Sequence, residues 1–278
     1  MELKKTTRIE SDLIGEREIP GHILYGVQTL RGIENFPISN FHLNDYPLFI
    51  NGLAMTKWAA AVANHRLGLL TDAQKDGIVK ACKEILEGKH HEHFPVDMIQ
   101  GGAGTTTNMN ANEVICNRAL QIMGHEAGEF AHLSPNDHVN CSQSTNDAYP
   151  TAIHLGLYAT YLKFRPHLLD LIESLRAKSR EFAHVLKMGR TQLEDAVPMS
   201  LGQTFGGFAS ILEDEIKNLD FAAEEFLTVN MGATAIGTGI CAQPNYAEYC
   251  IEALREVTGW DIRLSADLVG ATSDTSVM

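Results

Sequence analysis

Three polar stretches interrupt an otherwise apolar, helix-patterned chain of 278 residues. They hold the side chains best suited to chemistry. The first is Gln100-Gly101-Gly102-Ala103-Gly104-Thr105-Thr106-Thr107-Asn108-Met109-Asn110. The second is Cys141-Ser142-Gln143-Ser144-Thr145-Asn146-Asp147, and the third is Met188-Gly189-Arg190-Thr191-Gln192-Leu193-Glu194-Asp195. Each is read as ending where a helix starts, which places unpaired backbone N–H groups beside hydroxyls and side-chain amides. Such a set of donors is suited to holding carboxylate oxygens. Taken singly, each stretch also matches a capped loop, because Ser, Thr and Asn are the favoured capping residues. The glycine run at 101–104 is no dinucleotide fingerprint: it lacks the Gly-x-Gly-x-x-Gly order and follows no strand. It also lacks the Gly-Lys-Ser/Thr of a phosphate-binding P-loop.

The elements that must position these stretches are mostly helices. The first forty residues carry Gly15, Pro20, Gly21, Gly26, Gly32 and Pro37, which predicts an irregular arm with short strands. From Pro47, the spacing of Leu48, Leu53, Ala60, Ala63 and Leu67 predicts a helix entered at a proline. Thr71 or Asp72 reads as the cap of the next helix, with Ile78, Cys82 and Ile85 on its apolar face. Residues 88–107 read as loop, followed by a helix over 108–123. A long helix is expected after Pro150, broken or kinked at Pro166 and resuming to about Leu186. From Met199, the stripe Leu201, Phe205, Phe208, Leu212, Ile216, Leu219, Ala223, Phe226 runs for about seven turns. A long helix with one narrow stripe belongs in a bundle. A glycine-rich break at 232–239 and a helix over 246–257 follow. The expected class is mainly α.

Composition sets outer bounds. With 35 Asp+Glu against 22 Lys+Arg, the net charge is -13. That argues against a nucleic-acid partner, which needs a basic face to displace counterions. No run approaches the ~20 apolar residues of a membrane span. Lys4 and Lys5 near the N-terminus have no apolar segment behind them, so no secretory leader is expected. Cys82, Cys116, Cys141, Cys241 and Cys250 form no Cys-x-x-Cys pair. Reduced thiols and a cytoplasmic location are the expectation.

Taken together and in order, the polar stretches resemble those of the aspartase/fumarase superfamily. The resemblance extends from Arg8-Ile9-Glu10-Ser11-Asp12-Leu13-Ile14-Gly15 and Tyr25-Gly26-Val27-Gln28-Thr29-Leu30-Arg31 to Gly232-Ala233-Thr234-Ala235-Ile236-Gly237-Thr238-Gly239. Three spellings are nearer the aspartase branch than the class II fumarases. They are Gln100-Gly101-Gly102-Ala103-Gly104-Thr105, Thr145 where fumarases usually carry a second Ser, and Gln192 where they usually carry His. Some aspartases carry His there too, and class II fumarase stays open as the alternative.

The resemblance implies a mixed N-terminal domain over residues 1–142 and, over 143–278, the first long helices of an incomplete central bundle. It implies reversible anti-elimination of ammonia from L-aspartate to give fumarate, in a homotetramer whose sites combine three subunits. No organic cofactor is implied; a divalent metal is a conceivable activator with no located site. Removing a proton beside a carboxylate makes a doubly charged aci-carboxylate, which fixed donors must stabilise. By resemblance, Thr105, Ser144 and Thr145 donate to the β-carboxylate. Thr191 holds the α-carboxylate, and Asn146 and Gln192 hold the amino group. An amide does not titrate near neutral pH, so Gln192 cannot be an acid or base.

The family's base is the second Ser of a Gly-Ser-Ser-x-Met-Pro-x-Lys-x-Asn loop, and these 278 residues contain no such spelling. The expectation is a truncated lyase, with no catalytic base and no activity by itself, whose stripe on 199–226 exposes apolar surface. A non-catalytic helical assembly piece is the other reading.

Other residues invite chemistry less strongly. His90, Glu92 and His93 are read, with His91, as a solvated loop and not a metal site, and no second ligand cluster is evident in the sequence. Glu194 and Asp195 are read as serving a helix start. Cys141 is read as packing, and Arg190 as one half of an ion pair.

Overall fold

The computed structural model describes residues 7–276. The lysines read above for a leader, and the last two residues of the chain, lie outside the described residues. The chain is mainly helical. Its described residues fall into two units: one within 7–157 and 226–276, the other of residues 158–225.

The first unit opens with an antiparallel hairpin, β1 (Thr7–Asp12) and β2 (Gly15–Pro20), as the breakers foretold. Asp12 fixes its turn by accepting from the Ile14 and Gly15 amides at 2.9 and 3.1 Å. Then come α1 (Val27–Asn35), α2 (Pro47–Arg66) and α3 (Asp72–Leu86). The cap of α3 is Thr71, in a reciprocal capping box with Gln74. Next is α4 (Thr105–Ile122), which starts three residues before its expected first residue. Glycine supplies the reason: Gly104, at φ 86°, turns the chain directly into helix.

After a π-helical turn, Pro135–Val139, the chain enters α5 (Thr145–Glu181). The core joins α2, α3, α4 and the start of α5 through Ile50, Leu53, Ile78, Ile85, Ile115 and Ala152. Gly52 and Gly156 let α2 and α5 cross closely. A Cβ on Gly52 would stand 2.2 Å from the Ala152 carbonyl oxygen.

The second unit corrects two expectations. Helix α5 runs through Pro166 without interruption. A proline inside a helix costs roughly 3 kcal/mol, but bonds on either side hold this one. Arg165 makes two hydrogen bonds of 2.8 Å to Asp220, Tyr161 adds another of 2.8 Å, and Arg176 pairs with Glu213. The third polar stretch is not a loop opening onto a helix. It is a hairpin of β3 (Leu186–Thr191) and β4 (Glu194–Ser200), with an irregularity between Met188 and Arg190. The hairpin hides in the sequence because its two-residue turn, Gln192-Leu193, lacks the usual Asn-Gly or Asp-Gly spelling, although Gln192 adopts a φ of 56°.

Helix α6 (Leu201–Glu225) follows the foreseen stripe: Ile216 and Ala223 are buried, whereas Phe208 is 51% exposed. Back in the first unit, β5 (Thr228–Val229) pairs in parallel with β6 (Arg263–Leu264). Between them lies α7 (Tyr246–Thr258), packed on α2, and after them comes α8 (Leu268–Ser273). No described helix is long and apolar enough to cross a membrane.

Candidate active site

The starts of α4 and α5 lie side by side. Gly104 backs onto the Tyr149 ring so closely that a Cβ there would sit 2.5 Å from ring atoms. One turn on, the Asn108 amide donates to the Thr145 hydroxyl at 3.4 Å. The first polar stretch is stapled by Gln100, whose side-chain oxygen accepts from the Thr107 amide at 2.9 Å. Its nitrogen donates to the Thr107 hydroxyl at 2.7 Å. Thr105 is left exposed at the helix start.

Ser144 immediately precedes α5. Its hydroxyl accepts from the Asn146 amide at 3.2 Å, and its own amide donates to Asp147 at 3.0 Å. This is the capping role that Ser favours, and it leaves the hydroxyl proton available to a ligand. The Asn146 side chain donates its NH₂ to the Ala235 carbonyl at 2.7 Å. That contact orients the amide and leaves its oxygen as the acceptor.

Two charged groups the sequence reading passed over hold this arrangement. Lys57, fully buried on α2, donates to Asn108 at 2.7 Å, Gln143 at 2.8 Å and Asn140 at 3.1 Å. Burial pulls its pKa down to about 7, although the Asp147 charge opposes the shift. Asp147, also buried, accepts from the amides of Ser144, Gly232 and Thr234. It ties the second polar stretch to the glycine-rich segment. Burial lifts its carboxyl to about 6 against those hydrogen bonds. The signal in the sequence was Lys57 itself, the single lysine of an Ala-rich apolar helix.

Thr105, Ser144, Thr145 and Asn146 thus belong to one unit, at the adjoining starts of two helices. Thr191 and Gln192 belong to the other, exposed at the tip of the β3–β4 hairpin. Glu194 and Asp195 lie on β4 and serve no helix start; Asp195 instead accepts from Arg190 at 3.1 Å. A cavity of about 780 Å³ in the first unit reaches Thr105, Thr106 and Asn136, beside the Asp12–Arg31 pair, but its lining does not include Ser144–Asn146. Burial raises the Cys141 thiol pKa; its sulfur lies 3.7 Å from the Ser142 hydroxyl.

The histidine reading also changes. His93 is only 8% exposed, so it is no solvated residue, and His90 sits 2.9 Å from Glu84. Folding creates a second cluster that the linear sequence hid, His125, Glu129 and His132.

A family model described as Lyase matches residues 15–277. The chain is 53% identical to an aspartate ammonia-lyase of Pseudomonas aeruginosa, over 97% of this chain and 57% of that protein. It is 49% identical to the Escherichia coli K12 aspartate ammonia-lyase, over 98% of this chain and 57% of that one. Among solved structures, a cobalt-bound fumarate lyase:delta crystallin of Brucella melitensis aligns with TM-score 0.95 and 48% identity, over 98% of this chain and 59% of that chain. A class II fumarase of Schistosoma mansoni aligns with TM-score 0.86 and 35% identity, over 96% of this chain and 59% of that one. The chain therefore spans a little over half the length of the curated relatives it matches. It belongs to the lyase family, and its fold is part of the aspartase/fumarase fold.

Proposed function

We propose, with membership of the lyase family as premise, that this chain supplies carboxylate- and ammonium-binding parts of an aspartate ammonia-lyase. The supporting observation is the pairing of the α4 and α5 starts, which gathers Thr105, Ser144, Thr145 and Asn146 at one place. The reaction removes the C3 proton of L-aspartate to give an aci-carboxylate, then expels ammonia from C2 to leave fumarate. Thr105, Ser144 and Thr145 donate to the β-carboxylate as its second negative charge forms. The Asn146 oxygen accepts from the ammonium, and Gln192 does the same. Thr191 holds the α-carboxylate. The base comes from a Gly-Ser-Ser loop that these 278 residues do not spell.

The full-length protein in this reading is a cytoplasmic homotetramer acting on small dicarboxylates, with no organic cofactor and a divalent cation as activator. The cobalt of the Brucella neighbour is compatible with such a cation. Residues 1–142 form its N-terminal domain and 143–278 open its helical bundle. That boundary belongs to the whole fold; the compact units of this chain by itself divide at 157/158 and 225/226.

Two assays test the proposal. The 278-residue chain incubated with L-aspartate is expected to form no fumarate; steady-state fumarate production would overturn its dependence on the missing base. A longer protein carrying this sequence and the loop is expected to convert L-aspartate but not L-malate. The reverse preference would replace the aspartase reading with a fumarase.

A further inference from the structure

We propose that His125, Glu129 and His132 form a binding site for a borderline divalent transition metal such as Zn²⁺. One ligand atom from each side chain lies within 4.8 Å of the other two. The His125 Nδ1 and a Glu129 carboxylate oxygen are already 3.2 Å apart. Two metal–ligand bonds of ~2.0–2.1 Å at a tetrahedral angle span roughly 3.3 Å, so this pair stands at the required bite. The rings of His125 and His132 lie parallel within 14°, with centroids 3.8 Å apart. Because an imidazole binds a metal through a lone pair in its ring plane, the third bond requires the exposed His132 ring to rotate out of this stack.

The backbone beneath is fixed. Gly124, at φ 89°, ends α4, and the His125 amide donates to the Leu120 carbonyl at 2.9 Å. The Gly128 amide is held by Asn117 at 2.8 Å, and the His132 carbonyl accepts from Gln74 at 3.1 Å. Leu133, next in the chain, is buried in the core. The ligands are therefore presented on an anchored loop, which lowers the ordering cost of coordination. Two imidazoles and one carboxylate select borderline metals over Mg²⁺ or Ca²⁺, which take all-oxygen sets. The exposure of Glu129 and His132 leaves the remaining positions to water.

The other histidine cluster is the weaker candidate. His90 already engages Glu84, and Glu84 holds Arg118 through two contacts of 2.5 and 2.9 Å. A cation entering there would meet the guanidinium charge. The His93 Nδ1 meanwhile faces the Leu24 amide at 3.5 Å.

The test is calorimetric titration of metal-free protein with Zn²⁺ alone, repeated on His125→Ala, His132→Ala and His93→Ala. Circular dichroism confirms that each is folded, and titration with Co²⁺ provides ligand-field absorption bands as an independent readout. The expected result is one equivalent of Zn²⁺ bound, with affinity lowered roughly tenfold or more in the His125 and His132 variants; even losing an outer-shell partner costs that much. His93→Ala is expected to bind as wild type does, and Mg²⁺ is expected not to compete. Absence of Zn²⁺ binding in the wild type would overturn the proposal. So would wild-type affinity in both the His125 and His132 variants, or loss of binding only in His93→Ala.

Discussion

The second polar stretch and the β3–β4 hairpin carry residues that the same proposal assigns to one substrate, yet they are built in opposite ways. Residues 141–147 are held from beneath by a buried lysine, a buried aspartate and a ring of amides. The hairpin tip is exposed: Leu193 is 91% exposed, and the Arg190–Asp195 pair has both side chains mostly in water. Resemblance in sequence marked both equally. The structure shows that only the first is preorganised within its own unit, so substitutions should affect the two regions very differently.

The largest effect is expected from Lys57→Met. It leaves the Asn108 and Gln143 oxygens facing an apolar side chain, at about 1–3 kcal/mol for each, while the Asn140 oxygen keeps its bonds from the Asn108 and Asn112 amides. Urea denaturation should show a drop of several kcal/mol; a loss below about 1 kcal/mol would mean water replaces the ammonium.

Next is the pH response of Asp147. Its folded-state pKa, about 6, lies above the ordinary 3.8. The folded state therefore binds more protons between those values. The stability that Asp147 contributes is full below about 4 and is lost as pH rises through 6, a change on the order of 3 kcal/mol. Asp147→Asn should flatten the stability profile across that window, and an unchanged profile would disprove the assignment. Lys57 works in the other direction: its depressed pKa favours the fold above its ordinary range, and that contribution is lost as pH falls through about 7.

The smallest effect is expected at the hairpin. Arg190→Ala removes an exposed pair of the kind that contributes little, so its urea midpoint should match wild type. A clear destabilisation would erase the contrast between the two regions.

Much of this was legible in the sequence, for local reasons. Thr71 with Gln74 spells a capping box, and the stripe from Leu201 to Ala223 has the helical period that burial later follows. What was illegible depends on distant partners. Pro166 reads as a breaker until Arg165, Tyr161 and Asp220 are seen to hold the helix around it. The β3–β4 hairpin is a local exception: its strands adjoin in sequence, but the Gln192-Leu193 turn carries no usual hairpin spelling. Among the site residues, the motifs pointed to Thr105, Ser144, Thr145 and Asn146. Lys57 and Asp147 escaped because their role is contact with side chains and amides scores of residues away.

One further long-range contact bears on the order in which this chain folds. Glu113, buried on α4, accepts from the amides of Gly26, Gln28 and Thr29 and from the Thr29 hydroxyl, 84 to 87 positions earlier in the chain. Nearer in the chain, the α1 entry has only Glu10 to hold it, which accepts from the Val27 amide at 3.0 Å; Gly26 caps it without a side chain. Closing a loop of that length must precede any gain from the contact. The N-terminal arm, although made first, is therefore expected to dock late. Its amides at 26–29 meet the Glu113 carboxylate only once α4 presents it.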